Sequence, residues 1–316
     1  MITVLYVNHG LGTRCGVYDF GVRHFNALPK NDGNEYHYAE ITSIDHYLAT
    51  CVRVRPDVVI FNYMQMLLPW VTDAVRTFPA KRVVVQHLYD DGSVSRIMDS
   101  YGGIFDYMIC LDPSLPSTDP RIFAMGRPIP KFSSSKKTLV KGEEVSVGSF
   151  GFGLPHKQFP LIMREINKSF DNAVFNLHMT VGDFVQNLNS SIVAACEAEI
   201  TKPGIRLNHT YDYKDENSIV EMLNSNHMNA LFYDLPAQNA GLSSSVDYMV
   251  AAQRPMLVTD CASFKHIANG VYVYPYEDFD YIANNYELCQ KEASHMYNGT
   301  VNNLGRDTTS MLIRIL

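Results

Sequence analysis

The sequence holds no CxxC pair: its six cysteines, Cys15, Cys51, Cys110, Cys196, Cys261 and Cys289, are widely scattered. That spacing suggests neither a zinc site nor a disulfide framework, and reduced thiols in a cytoplasmic protein are the simplest account. Nor does any stretch approach the roughly 18 consecutive apolar residues of a membrane span. The first residues, MITVLYVNHG, lack the basic start and long apolar run of a signal peptide and read as a strand entering a turn. Positive charge is short as well: 26 Lys and Arg against 33 Asp and Glu give a formal net charge of −7. A globally basic nucleic-acid binder is disfavoured, although a local basic groove would not show in the sum.

What is present is a chain of 316 residues, 46% hydrophobic. That supports a large core and, at roughly 100–200 residues per domain, two domains. Near-continuous apolar strands alternate with helical patterns: Ile2 to Val7, Tyr36 to Ile41, Asp57 to Tyr63, Arg82 to His87 and Phe105 to Leu111 read as strands. Ser43 to Arg53 and Met66 to Phe78 read as helices between them. Such runs mean a parallel sheet covered on both faces. Ligands of such sheets bind beyond the carboxyl ends of the strands, where His9, Tyr63 and His87 fall. The glycine-rich loop Asn8 to Gly16 after the first strand opens a nucleotide-type α/β unit, but its glycines are not spaced as GxGxxG, and an ordinary strand-to-helix turn is the competing reading.

Pro128 to Glu144, rich in proline, serine and lysine, reads as a solvated connection between domains. A second series follows. Val145 to Phe150, Val174 to Met179 and Ile205 to Tyr211 read as strands, Phe159 to Phe170, Val185 to Ile200 and Ser218 to Asn224 as helices. The stretch Leu231 to Thr259 then reads as strand, small-residue loop, helix and strand. Its Gly-Leu-Ser-Ser-Ser segment puts free backbone N–H groups, hydroxyls and a positive dipole end at one spot. That pattern serves a phosphate or simply caps the helix. From Phe279 the chain is helical, with Val271 to Tyr274 as a late strand.

Four segments, in order, resemble the GT-B glycosyltransferases of the large family 4 group: Thr13 to Phe20, Val147 to Gly151 with Lys157 downstream, Gly241 to Ser245, and Ala251 to Pro255 followed by a strand. The resemblance spans nearly the whole chain. It implies an α/β fold of two Rossmann-like domains facing each other across a cleft, an acceptor-side domain over residues 1–140 and a nucleotide-sugar domain over 141–316. The final helices would pack back on the first domain. It further implies transfer of a sugar from a nucleotide-diphosphate donor to an acceptor hydroxyl, with retention of configuration. A bound cofactor or metal is not needed.

Residue by residue, the resemblance assigns His87 and Lys157 to the chemistry. Gly10, Gly12, Gly151, Gly153, Gly241, Leu242, Ser243 and Ser244 would approach the donor, and Arg14 and Tyr63 the acceptor. The family's two glutamates near the phosphate loop are missing. Gln238 or Asn239 stands where the first falls, and Asp247 is the only nearby acid for the ribose, its competing reading being a helix-surface acid. The arginine expected after the FG segment is also missing, which places more weight on Lys157. Tyr211 or Tyr213 could stack a base. Asp278-Phe279-Asp280 matches a DxD metal pattern, but acids at a helix start answer the helix dipole.

The expected partners are a nucleotide sugar and a saccharide or glycolipid acceptor. A hydroxymethylated base in DNA is the alternative acceptor, on the strength of Lys131, Lys136, Lys137 and Lys141. With the glutamates absent, a non-catalytic module that only holds a nucleotide sugar is a further reading. The sequence carries no signal of oligomeric state.

Overall fold

A computed structural model describes residues 1–10, 16–87, 94–113, 118–135, 137–180, 188–234, 243–267, 271–301 and 304–316. The chain divides into two compact units, one of Met1–Pro128 with Asn302–Leu316, the other of Ile129–Pro236 with Ser243–Val301.

In the first unit, β1 (Thr3–His9), β2 (Glu35–Ile41), β3 (Val58–Tyr63), β4 (Lys81–Gln86), β5 (Tyr107–Cys110) and β6 (Ile122–Ala124) form one sheet in the order β2-β1-β3-β4-β5-β6. Every described pairing in it is parallel. Between the strands run α1 (Gly16–Ala27), α2 (Ile44–Val54) and α3 (Val94–Ser100). The apolar runs make this possible because alternate residues face opposite sides of a strand. Leu5, Val7, Val59 and Phe61 enter one core cluster, and Val4, Tyr6, Val58 and Ile60 enter another.

The second unit repeats the scheme. Strands β7 (Val145–Phe150), β8 (Ala173–His178), β9 (Ile205–Thr210), β10 (Met228–Leu231), β11 (Met256–Thr259) and β12 (Tyr272–Tyr274) lie in the order β12-β11-β10-β7-β8-β9. The helices are α4 (Phe159–Ser169), α5 (Asn189–Ala198), α6 (Glu216–Asn224), α7 (Ser244–Ala252), α8 (Phe279–Asn284) and α9 (Tyr286–Val301). The last helix, α10 (Leu304–Ile315), belongs to the first unit, where Met311, Leu312 and Ile315 join the cluster of Val4 and Tyr6. Each sheet has one place where successive connections leave in opposite directions: between β1 and β3 in the first unit, and between β7 and β10 in the second. Such switch points open crevices at the carboxyl ends of the strands.

Several elements differ from the sequence reading. Over Met66 to Phe78 only a short 3-10 turn forms, Asp73–Thr77. Pro69 lacks the N–H a helix would need and pushes the preceding residue out of the helical region. β6 escaped notice because it is three residues long. β10 lies earlier than Leu231 to Tyr233, at Met228–Leu231, because a polar residue sits inside it. Asn229 is fully buried there, its amide donating to Leu223 O at 3.2 Å. Tyr233 therefore falls beyond the strand end. The helix expected over Val185 to Ile200 runs Asn189–Ala198, its first residues lying outside those described.

The segment after Pro128 is not a free linker. Ile129 is buried in the cluster of Leu223 and Met249, and Arg254 Nη2 donates to Ser135 O at 2.9 Å. Lys137 Nζ donates to Ser146 Oγ at 3.3 Å and to Ser225 O. Asp278 caps α8, accepting from Tyr281 N at 2.8 Å. Among the described residues no helix is long and apolar enough to cross a membrane.

Candidate functional site

Each switch point carries a polar cluster. In the first unit the apolar runs of β1 and β3 both turn polar near their carboxyl ends, at Asn8-His9 and Asn62-Tyr63. The parallel register that pairs Val7 with Phe61 brings the two asparagines side by side. Asn62 Nδ2 donates to Asn8 Oδ1 at 2.9 Å and to Val17 O at 2.8 Å. Asn8 Nδ2 donates to Tyr18 O at 3.1 Å and Tyr38 Oη at 3.0 Å, and Asn8 Oδ1 accepts from His9 N at 3.0 Å.

The next strand, β4, delivers His87 to the same ladder. His87 Nε2 lies 2.6 Å from Asn62 Oδ1, and its ring meets Phe20 edge-on at 4.9 Å. Asn8, Asn62 and His87 are all buried. A glycine on α1 makes room: a Cβ at Gly21 would stand 2.4 Å from Asn62 Nδ2 and 2.6 Å from Asn8 Nδ2. His9 is buried too, and burial lowers its pKa against the raising pull of Glu40.

The second unit's cluster is cationic. β7 ends in Gly151 at φ +139°, a backbone region that favours glycine. A Cβ there would stand 2.2 Å from the Lys157 ammonium. Lys157 is buried, 6% exposed, and donates to Tyr233 Oη at 2.8 Å. Tyr233 follows β10, so the bond spans the switch point. Its hydroxyl lies 3.1 Å from Ser243 Oγ and donates to Ser245 Oγ at 3.3 Å.

Ser243 caps α7, accepting from Ser245 N, so the cluster sits at a helix N-terminus and its positive dipole end. Burial alone would raise the Tyr233 phenol. The Lys157 charge and the hydrogen bonds with Lys157, Ser243 and Ser245 outweigh it, and the pKa falls below its ordinary value. His156 stands edge-on to the Tyr233 ring, and burial, then the Lys157 charge, lower its pKa. Among the described residues no carboxylate pairs with Lys157.

Of the residues read from the sequence, the structure brings Gly151, Lys157 and Ser243 together in the second unit. Ser244 is the first residue of α7. Gly153 lies close by in the chain but packs elsewhere: a Cβ there would meet Asn189 Oδ1 at 2.1 Å. Asp247 is fully buried inside α7, so it is not a helix-surface acid. Gly10 lies against β2, a Cβ there falling 3.0 Å from Thr42 and 3.3 Å from Glu40.

Tyr63 is half-buried in a ring cluster, edge-on to Tyr101 at 5.7 Å and Phe105 at 5.3 Å. Gly12, Arg14, Gln238, Asn239, Gly241 and Leu242 lie outside the described residues. Sequence reasoning missed Asn8, Asn62, Gly21 and Tyr233. For Asn8, Asn62 and Tyr233 the signal was a polar or hydroxyl side chain at the end of an apolar run; for Gly21, a glycine inside a helix.

No family model matches the chain, and no curated protein matches its sequence. Solved structures match it over its whole length. The Anabaena protein HepE in complex with UDP-glucose superposes with TM-score 0.60 at 10% identity, covering 99% of this chain and 95% of that one. The lipopolysaccharide outer core galactosyltransferase WaaB gives TM-score 0.67 at 8% identity, with 100% of both chains covered. A UDP-forming α,α-trehalose-phosphate synthase from Burkholderia xenovorans, in complex with glucose-6-phosphate, gives 0.61 at 10% identity, again with 100% of both covered. The chain has the fold of these proteins: GT-B, α/β, with two Rossmann-like units.

Proposed function

We propose that the chain is a glycosyltransferase that moves a sugar from a nucleotide-diphosphate donor to an acceptor hydroxyl. The observation that carries this reading is the buried Lys157 ammonium near the start of α7, answered by the Tyr233 hydroxyl and by no carboxylate among the described residues. A buried cation is costly unless paired. A diphosphate placed against Lys157 Nζ, Tyr233 Oη, Ser243 and the α7 N–H groups would supply the missing negative charge. The same donors would stabilise the charge that develops on the diphosphate as the sugar leaves.

On this reading the second unit holds the nucleotide diphosphate, and His87 is the first unit's candidate for the chemistry. Lys157 binds and stabilises the leaving group; Asp247, fully buried inside α7, is given no part in it. No residue at the cluster calls for a metal: its positive charge comes from Lys157 and the helix end. The fold shared with the UDP-glucose-bound Anabaena protein supports a nucleotide-sugar donor. A saccharide or glycolipid acceptor and retention of configuration belong to the same proposal. DNA loses support, because Lys137, one of the lysines that suggested it, is turned inward onto Ser146 and Ser225.

A thermal-shift panel of nucleotide sugars, run with and without magnesium, tests the reading. A ligand that binds only the folded chain must raise its apparent stability. A metal-independent shift with one nucleotide sugar, followed by release of nucleotide diphosphate, is the expected result. Binding without turnover over a panel of saccharide acceptors would favour the non-catalytic module, and no shift with any donor would remove the reading.

A further inference from the structure

We infer that Asn62, held in place by Asn8, is a positioning residue that fixes His87 in one tautomer, with the proton on Nε2. The inference concerns the role of His87 and to that extent rests on the function proposed above, but the tautomer follows from the ladder itself. Backbone groups set its polarity at both steps. Val17 O can only accept, so the Asn62 atom 2.8 Å from it is the amide nitrogen. Tyr18 O can only accept and His9 N–H can only donate, which fixes the Asn8 amide in the same way.

With both amides oriented, the Asn62 atom facing His87 is Oδ1, an acceptor with no hydrogen to give. The ring nitrogen 2.6 Å away must therefore donate, and it is Nε2. In the neutral ring the proton then sits on Nε2, and Nδ1 carries the lone pair. Phe20, edge-on at 4.9 Å, limits rotation of the ring out of this arrangement.

Gly21 belongs to the same device. Any side chain there would collide with the amide nitrogens of both asparagines. Asn8, Gly21 and Asn62 thus act through His87 rather than on the substrate.

The test is nitrogen–proton correlation NMR of the histidine rings in the full chain at mildly alkaline pH, with the His87 signals assigned by their absence in His87→Gln. The expected result is a single Nε2–H tautomer for His87 in the wild type. An Nδ1–H tautomer, or a mixture of the two, overturns the inference, whether or not the chain turns over any nucleotide sugar. In Asn62→Leu and in Gly21→Ala the His87 signals should turn into a tautomer mixture. Where turnover has been found, kcat should fall on the order of tenfold, the size seen when a group orienting a site side chain is lost, with the donor KM within about twofold. A wild-type tautomer preserved in a folded Asn62→Leu variant would equally overturn it. Should that variant not fold, the wild-type spectrum alone decides.

Discussion

The two units have the same architecture and place their polar clusters at the same topological point, yet they fill it with opposite chemistry. The first unit's switch point holds a ladder of two amides and an imidazole, in which each described amide donor meets an acceptor. The second holds an ammonium, a phenol and two serine hydroxyls at a helix start. Amides that orient one another need no ligand to hold their geometry, and such a network positions a side chain. A buried cation answered only by a hydroxyl lacks its counter-charge, and its natural complement is an anion. The division of labour proposed for the two units, the His87 candidate on one and diphosphate on the other, follows from that difference.

The comparison breaks most visibly at Lys157. Lys157→Ala should lower transfer by about 10²–10³-fold, the range for losing one preorganised donor to a developing oxyanion. Initial rates of nucleotide diphosphate release read this directly, and unchanged turnover would take Lys157 out of the mechanism.

Acid should act on both units, through a buried histidine in each. His24 in the first unit is held down to about 3 by burial, then by Arg127 and Arg23. His227 in the second is held down to about 4 by burial, then by Lys137 and Arg254. Both folded pKa values lie below the unfolded value of 6.5, so the unfolded chain takes up protons first as the pH falls. Stability contributed by the neutral rings is full above that value and is lost progressively down to about 3–4. Urea midpoints should fall across this window, and a flat profile would contradict the burial of these rings as neutral groups.

Two smaller effects sharpen the contrast. Asn62→Leu leaves the His87 Nε2–H without its acceptor and should destabilise the chain by about 1–3 kcal/mol, the cost of an unmet buried polar group. Equilibrium denaturation measures it. Tyr233→Phe leaves the buried Lys157 ammonium without its described hydrogen-bond partner and should cost about 1–3 kcal/mol as well. The same variant should abolish the earliest-ionising phenol in an alkaline absorbance titration. Tyr233 is held below the ordinary value, whereas burial raises Tyr36, Tyr38, Tyr47 and Tyr101. If no tyrosine titrates early, the Lys157–Tyr233 pairing is wrong.

Much of this was legible in the sequence, and the reason is periodicity. Runs such as Val4 to Val7 and Val58 to Phe61 can only be strands buried on both faces, so the parallel sheets could be read directly. The Gly151 turn after β7 and the Ser243 cap of α7 were legible because their backbone demands are local. The ladder was not. Asn8 and Asn62 are far apart in the chain and look like ordinary strand ends; only the register of β1 against β3 joins them. Tyr233 was hidden for a related reason, since Leu231 to Tyr233 reads as one apolar run and the polar Asn229 disguises where the strand lies. The competing reading of Asp247 as a surface acid fails because α7 is apolar nearly all round and buries every residue from Ser245 to Ala252.

The most direct test of the central claim is titration calorimetry of UDP, ADP and GDP, each beside its monophosphate, in metal-free buffer against the wild type and Lys157→Ala. The account predicts that one diphosphate binds the wild type, that its monophosphate binds at least about tenfold more weakly, a difference of roughly 1.4 kcal/mol, and that Lys157→Ala erases that difference. Equal affinity for diphosphate and monophosphate, or a preference that survives Lys157→Ala, would contradict it.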